Sequence, residues 1–263
     1  AAFTKADASL LRRFQQLIGL SEGCMSIEST LFQGEAHGPY PFGNLRLYVE
    51  RVKAATAGFG REVVAATAQK HAEDVVCNWI SYWVERTKKQ NVFLCGGVFS
   101  NVKLNQRVSE IDEVKSVTVH PGMTDCGLPV GAAFAASQPI DRRAPDSYYL
   151  GPDVTQYGIE ELMGELKDCF SVTKPKNLAG QVAQLLYDKK IVARFSGRLE
   201  YGPRALGNRS ILFHAGDKSA NDWLNNRLKR TEFMPFAPVT LAENCALYYD
   251  LPINTDILES LKY

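Results

Sequence analysis

The chain lacks an excess of charge of either sign. It has 30 lysines and arginines against 29 aspartates and glutamates, which gives a formal net charge of +1 over 263 residues. This balance provides no bulk electrostatic attraction to nucleic acid or to a membrane surface. The sequence also has no apolar run of the ~18–20 residues that a membrane-spanning helix needs, and it does not open with a signal-peptide pattern. We therefore predict a cytoplasmic protein that binds neither nucleic acid nor membrane.

Histidine and cysteine are few and poorly spaced for metal binding. The four histidines are too far apart for an HxxxH pair or a histidine cluster (His37, His71, His120 and His214). The six cysteines form no CxxC pair, and most stand in apolar local sequence (Cys24, Cys77, Cys95, Cys126, Cys169 and Cys245). We predict buried free thiols, as in a reducing compartment, and a structural role for His71.

Two common catalytic motifs are also missing. The chain has no GxxxxGK[ST] segment, which excludes a P-loop nucleotide site of the usual kind. It has no GxSxG segment either, which excludes the serine nucleophile of the α/β-hydrolases.

The order of the predicted elements indicates an α/β fold. Apolar spacing predicts helices at 6–20, 60–86, 101–110, 128–137, 155–166 (with Thr155 as N-cap) and 177–186, and strands at 45–52, 91–95, 114–119, 191–195, 211–214 and 238–243. Residues 21–44 are predicted to be loop-rich, and residues 138–152, with three prolines, to be a linker. The length fits one large or two modest domains. Because the first residue is not Met, we expect a piece of a longer protein.

Residues 197–212, GRLEYGPRALGNRSIL, are here called the arginine segment. They carry Arg198, Arg204 and Arg209 among three glycines, together with Glu200, Asn208 and Ser210. A guanidinium presents a rigid fork of donors that matches phosphate or carboxylate oxygens two at a time. Glycines let the backbone bend and come close to a ligand. The alternative is a solvated loop with scattered arginines, but the clustering favours an anion site.

Two further segments carry residue types suited to nucleotide or metal binding. The glycine turn, residues 96–101, places Gly96 and Gly97 between a strand and a helix that begins near Asn101. Backbone amides and a helix N-terminus at such a turn can hold phosphate or ribose oxygens, although a simple strand–helix turn is equally consistent. The aspartate loop, residues 122–127, carries Asp125 before Gly127. Asp125 suits either a cation or a turn.

Together these segments resemble the NodU-type O-carbamoyltransferases, which modify nodulation factors and antibiotics. The resemblance depends on the arginine segment and is supported by LCGGVFSN at 94–101, MTDCGLPVGAA at 123–133 and EFMPFAPV at 232–239. It implies the C-terminal half of an actin-like (ASKHA) domain over residues 1–147. Part of a YrdC-like α/β domain is implied over residues 148–263.

The resemblance also implies a reaction and its participants. ATP and carbamoyl phosphate would form carbamoyl adenylate in the YrdC-like domain. The actin-like domain would then pass the carbamoyl group to a hydroxyl of a small acceptor such as a sugar, nodulation factor or antibiotic. A divalent metal, iron or magnesium, would assist, and a homodimer is compatible with this scheme.

Residue roles follow from the same resemblance. The expected catalytic and anion-binding residues are Arg204 first, then Arg198, Arg209, Ser210, Lys229 and Arg230. The expected cofactor-binding residues are Gly96, Gly97, Asn101, Gly127 and Asn208, and Asp125 is the expected metal ligand. Three departures stand out: no HxxxH pair accompanies Asp125, Met234 stands where an anion-binding arginine is common, and the family continues past Tyr263.

Two other functions remain open at this level. An actin-like sugar kinase or tRNA-modifying carbamoyl enzyme would explain the glycine turn and Asp125, but not the arginine segment. A catalytically silent nucleotide-binding module that needs a partner would explain the missing HxxxH pair.

Overall fold

The structure is a computed structural model that describes residues 4–27, 45–137, 147–152, 158–166, 168–216, 219–227 and 236–249, with only the backbone at 45–48, 159–160 and 219–221. Within these ranges the fold is mixed α/β with three two-stranded sheets. The chain divides between His120 and Pro121 into two compact units. The predicted family-domain boundary at 147/148 stays a prediction. No helix of the described ranges is long and apolar enough to cross a membrane.

A capped helix and a hairpin begin the first unit. Asp7 precedes helix α1 (Ala8–Leu17), and its side chain accepts hydrogen bonds from backbone N–H groups of the first turn, as an N-cap does. Strands β1 (Ile18–Ser21) and β2 (Cys24–Ile27) pair antiparallel. Both residues of their connecting turn have positive φ, the geometry that matches the twist of a tight hairpin.

In the rest of the first unit, two helices pack against a parallel strand pair. Its elements are α2 (Leu45–Thr56), α3 (Arg61–Thr87), β3 (Asn91–Leu94), α4 (Val102–Ser109) and β4 (Ser116–Val119). β3 and β4 are hydrogen-bonded in parallel, so the chain leaves both strands at the same edge. The buried core comes from α3, β3, α4, β4 and the turns between them: Val76, Ile80, Val84, Leu94, Phe99, Leu104, Val108, Val114 and Val117.

The second unit is built from short helices and one hairpin. Its helices are α5 (Leu128–Ser137), α6 (Ile159–Glu165), α7 (Leu178–Tyr187), α8 (Ser219–Arg227) and α9 (Cys245–Tyr248). Strands β5 (Val192–Phe195) and β6 (Arg209–Leu212) pair antiparallel. Helix α5 is strongly apolar yet buries none of its residues, and Leu128 and Phe134 are 69% and 59% exposed.

Several predicted elements are confirmed. The helix predicted at 60–86 is α3, the one at 101–110 is α4, and the one at 128–137 is α5. The predicted strands at 91–95, 114–119 and 191–195 correspond to β3, β4 and β5. The strand at 211–214 lies two residues earlier, as β6. Helix α6 starts after Gly158, whereas Thr155 lies outside the described residues.

Other predictions are wrong. Residues 45–52 form helix α2, not a strand; the alternation at 45, 47 and 49 was outweighed by strong helix formers and by apolar residues at 45, 49 and 52. Residues 236–241 pair with no strand of the described chain, and a 3₁₀ turn follows at Ala242–Asn244; Val239 and Thr240 favour a strand only where a neighbour exists to pair with.

Two predictions about the start of the chain need correction. The helix predicted at 6–20 ends at Leu17, because residues 18–21 pair with β2 across the turn. The same hairpin replaces the first part of the predicted loop at 21–44, whose remainder, 28–44, lies outside the described residues. Of the predicted linker, only 147–152 is described.

The cysteines are free, as predicted, but not buried. Four are exposed and two half-buried. Apolar neighbours in sequence did not bury them because Cys95, for example, stands just after β3 ends and Cys126 stands within a turn. His71 is buried on α3, in agreement with a structural role.

Candidate anion site in the arginine segment

The hairpin of β5 and β6 fixes both ends of the arginine segment. Phe195, the last residue of β5, pairs with Arg209, the first of β6. The intervening residues therefore return on themselves within one loop. Ser196 N–H donates to the Asn208 carbonyl at 3.0 Å, which extends the pairing one step into the loop.

A buried carboxylate organises this loop from inside. Glu200 is only 8% exposed. Its Oε1 accepts backbone N–H groups from Leu206 at 3.0 Å, Asn208 at 2.7 Å and Arg209 at 2.9 Å. Burial by itself raises the pKa of Glu200, but the backbone donors of Arg209 and its neighbours favour the ionised form, and the net pKa is lowered from the ordinary 4.5. Glu200 is therefore an anion held within the protein.

Arg209 is bound to the loop backbone. Its Nη1 donates to the carbonyls of Ser196 and Asn208, both at 2.9 Å, and its Nη2 donates to Gly197 at 3.1 Å. The guanidinium also stacks on the Phe195 ring, with Cζ 3.6 Å from the centroid, a cation–π contact. These contacts stabilise the loop, and the anion-binding role predicted for Arg209 stays a prediction.

Asn208 and Ser210 also contribute to the internal hydrogen bonding of the loop. Asn208 Nδ2 donates to the Arg198 carbonyl at 2.8 Å, and the Ser210 hydroxyl oxygen accepts the Gly207 N–H at 3.0 Å. Their predicted ligand contacts would have to be made in addition to these bonds. The side chains of Arg198 and Arg204 are exposed. These two arginines have the exposure that an anion site requires.

Tyr201 joins the arginine segment to the aspartate loop. Its hydroxyl donates to the Cys126 carbonyl at 3.3 Å, and its ring packs so closely on Gly122 that a Cβ there would overlap it. Burial, with Cys126 nearby, raises the pKa of Tyr201. The Tyr201 N–H donates to the Tyr148 carbonyl at 2.8 Å. Sequence patterns did not identify Glu200, Tyr201 or Tyr148 as site residues.

Asp125 is exposed at the start of a 3₁₀ turn, Asp125–Gly127, in which the Gly127 N–H donates to the Thr124 carbonyl at 3.0 Å. Across the described ranges, no group of three or more histidine, cysteine, aspartate or glutamate side chains could hold a metal ion. Asp125 is therefore not part of such a group in the described chain, and its predicted role as a metal ligand stays a prediction.

The glycine turn belongs to the first unit. Gly96 has φ 105° and ψ 152°, a conformation that glycine alone adopts readily. No atom lies within 4 Å of a Cβ placed on Gly96 or Gly97, and both are exposed. Asn101 caps α4, since its Oδ1 accepts the Leu104 N–H at 3.1 Å. Its Nδ2 donates to Gln69 Oε1 at 2.8 Å. The turn is accessible, but the Asn101 side chain is used structurally.

The structure thus brings the arginine segment into contact with the aspartate loop, through Tyr201, within the second unit. Of the predicted site residues, Lys229 and Arg230 lie outside the described ranges. Glu200 is visible in the sequence as part of the arginine segment, but nothing in the sequence shows that three backbone amides converge on it.

Comparison with known proteins supplies the family. Residues 41–134 match the model described as carbamoyltransferase N-terminus, and residues 183–260 match the carbamoyltransferase C-terminus. An uncharacterised protein of Methanocaldococcus jannaschii is 34% identical over 68% of this chain and 35% of its own length. Nodulation protein NolO of Bradyrhizobium diazoefficiens is 29% identical over 76% of this chain and 38% of its own.

Nodulation protein U of Azorhizobium caulinodans is 28% identical over 74% of this chain and 34% of its own length. The chain thus spans about a third of the length of these relatives. The N-terminus model matches ahead of the C-terminus model along the chain. The C-terminus match begins within α7 and includes the whole arginine segment. The chain belongs to the carbamoyltransferase family.

Proposed function

We propose that this chain is part of an O-carbamoyltransferase that consumes ATP and carbamoyl phosphate. One water releases phosphate from carbamoyl phosphate, and the resulting carbamate displaces pyrophosphate from ATP to give carbamoyl adenylate. An acceptor hydroxyl then takes the carbamoyl group, and AMP leaves. The actin-like and YrdC-like folds of the two domains, the small hydroxylated acceptor, a homodimer and a cytoplasmic location belong to the same proposal.

The observation that carries the proposal is the arginine segment itself. A loop closed by internal hydrogen bonds exposes Arg198 and Arg204, and it stands in a chain that matches both carbamoyltransferase models. Joining two polyanions requires fixed positive charge where charge develops on the departing phosphates. A kinase or tRNA-modifying enzyme would leave this loop without a function.

The chain's own residues would perform distinct parts of this reaction. Arg204, helped by Arg198, would bind and orient the phosphate of carbamoyl phosphate. The exposed amides of the glycine turn, at Gly96 and Gly97, would hold the adenylate. A divalent metal would supply charge neutralisation when bound, with Asp125 as a ligand and substrate phosphates or water completing its coordination.

The test is pyrophosphate release from ATP by the full chain, with and without carbamoyl phosphate. We expect release only with carbamoyl phosphate, and we expect Arg204→Ala to lower it by about 100-fold or more, in the range for loss of one charge-stabilising donor. Arg227→Ala, which removes an exposed arginine of α8 in the same unit, is the matched control. Equal release with and without carbamoyl phosphate would reject the assignment.

A second candidate is a nucleotide-binding module completed by another polypeptide. The apolar helix α5, which buries none of its residues, favours it. It predicts ATP binding by calorimetry without pyrophosphate release, and release that returns when the complementary polypeptide is added. Release by the chain alone would exclude it.

A further inference from the structure

The backbone amides of the arginine segment are already used by the protein. The N–H groups of Leu206, Asn208 and Arg209 converge on a single point, the kind of concave amide cluster that binds anions in other proteins. Here that point is occupied by Glu200 Oε1, at 2.7–3.0 Å from each nitrogen. An incoming phosphate therefore cannot use these amides while the loop keeps this form.

The carbonyls of the loop are used in the same way. Arg209 binds three of them, on Ser196, Gly197 and Asn208, and the Asn208 side chain binds a fourth, on Arg198. The Glu200 carboxylate thus binds backbone N–H groups of the loop, and the Arg209 guanidinium binds its backbone carbonyls. The hydrogen bonds of Glu200 and Arg209 involve an ionised group, and such bonds are roughly twice as strong as those between neutral groups.

We propose that Glu200 is a positioning residue that presents Arg198 and Arg204 to the bound phosphate. This rests on the proposed function. Arg198 stands two residues before Glu200, and Arg204 lies in the segment that Glu200 closes by binding Leu206. Both side chains are exposed, while Glu200 is buried. Glu200 acts through the loop and does not touch the anion, whose negative charge would repel it.

A double-mutant cycle separates positioning from a purely structural role. Binding of carbamoyl phosphate, and of pyrophosphate as a second probe, is measured by calorimetry on the full chain. We expect Glu200→Ala to weaken binding about 10-fold or more because Arg204 loses its place. Once Arg204→Ala has removed that side chain, adding Glu200→Ala should weaken binding by no more than about 3-fold, since coupled residues are not additive.

Fully additive effects, or an unchanged dissociation constant in Glu200→Ala, would overturn the proposal. Glu243→Gln, at an exposed glutamate of the same unit, is the control and should bind as the unchanged chain does. If Glu200→Ala does not fold, Glu200→Gln replaces it. The glutamine amide keeps one acceptor oxygen but has no charge. Binding of carbamoyl phosphate should therefore weaken by about 3-fold while the circular dichroism spectrum stays unchanged. Unaltered binding would reject the positioning role of Glu200.

The two proposals fail in different ways. Anion binding that shows the expected coupling, in a chain that releases no carbamoyl-phosphate-dependent pyrophosphate, would uphold Glu200 and reject the enzyme assignment. Pyrophosphate release that depends on carbamoyl phosphate, with additive effects of the two substitutions on anion binding, would uphold the enzyme assignment and reject the role of Glu200.

Discussion

Among single residues, Gly202 has the most demanding environment in the arginine segment. Its φ is 101°, and a Cβ there would overlap the backbone carbonyl of Pro121. Backbone atoms cannot move aside as the end of a flexible side chain can. Gly207 has a similar φ, 111°, but no atom lies within 4 Å of its Cβ position. A side chain at either position would be strained by the positive φ, but only one at Gly202 would also overlap other backbone atoms.

This contrast gives a prediction for alanine substitution. Gly207→Ala should destabilise the chain by about 1 kcal/mol, the strain of a non-glycine residue at positive φ. Gly202→Ala should cost roughly 1–3 kcal/mol more, because the loop must also move away from Pro121. Urea unfolding of both variants measures the difference. Equal destabilisation would show that the close approach to Pro121 does not matter for stability.

At the scale of elements, helix α3 ends on a residue in a strained conformation. Lys88 follows the helix with φ 57° and ψ 21°, and its N–H donates to the Val84 carbonyl at 2.8 Å. This left-handed position is where glycine commonly ends a helix. The side chain of Lys88 is exposed, so no packing justifies the lysine.

Lys88→Gly should therefore stabilise the first unit. Relief of the left-handed strain is worth about 1–2 kcal/mol, and the greater freedom of glycine in the unfolded chain offsets about 0.4–1 kcal/mol of it. We expect a net gain of about 0.5–1 kcal/mol in the free energy of unfolding, measured in urea. Lys89→Gly, at the neighbouring exposed residue without positive φ, should not stabilise.

The elements also show how far the sequence predicts the fold. Helix α3, helix α5 and the β3–β4 pair were predictable because their apolar spacing and terminal glycines are local signals. The β1–β2 hairpin was missed because its turn residues, Glu22 and Gly23, lie in a segment dominated by other loop formers. Strand pairing depends on a neighbour, which local sequence does not reveal, and this explains the error at 238–243.

The candidate site was predictable in its residue types but not in their roles. Three arginines among glycines indicated an anion site, yet Arg209 binds carbonyls of its own loop. The buried carboxylate of Glu200 and the contact of Tyr201 with Cys126 join residues whose relationship depends on the folded chain. A guanidinium looks the same in sequence whether it binds a ligand or the backbone.

For the whole molecule, the two units contain different pH-sensitive groups. In the first unit His71 is 8% exposed, and neither ring nitrogen has a hydrogen-bond partner with good geometry in the described chain. Burial lowers the pKa of His71 below the ordinary 6.5, although the Ile18 backbone and Asp74 partly oppose this. In the second unit the pKa of Glu200 lies below 4.5. Each group binds its proton more readily when unfolded.

The sign of the pH dependence follows from that difference. Where the unfolded chain holds more protons, the free energy of unfolding falls as the pH falls. The first unit should therefore lose stability as the pH drops below about 6.5, because unfolding lets His71 take up a proton. The contribution of Glu200 to the second unit should persist to lower pH and be lost only below about 4.5.

Tryptophan fluorescence can follow the two units separately during acid unfolding. Trp79 and Trp83 lie on α3 and Trp223 lies on α8, so replacing the tryptophans of one unit by phenylalanine isolates the signal of the other. We expect the α3 signal to change at a higher pH than the α8 signal. His71→Leu should abolish the loss of stability that begins as the pH falls below about 6.5. Unfolding of the same variant at pH 7.5 shows how far the substitution itself changes packing. If both signals change together and His71→Leu shifts neither, His71 does not control the acid stability of the first unit.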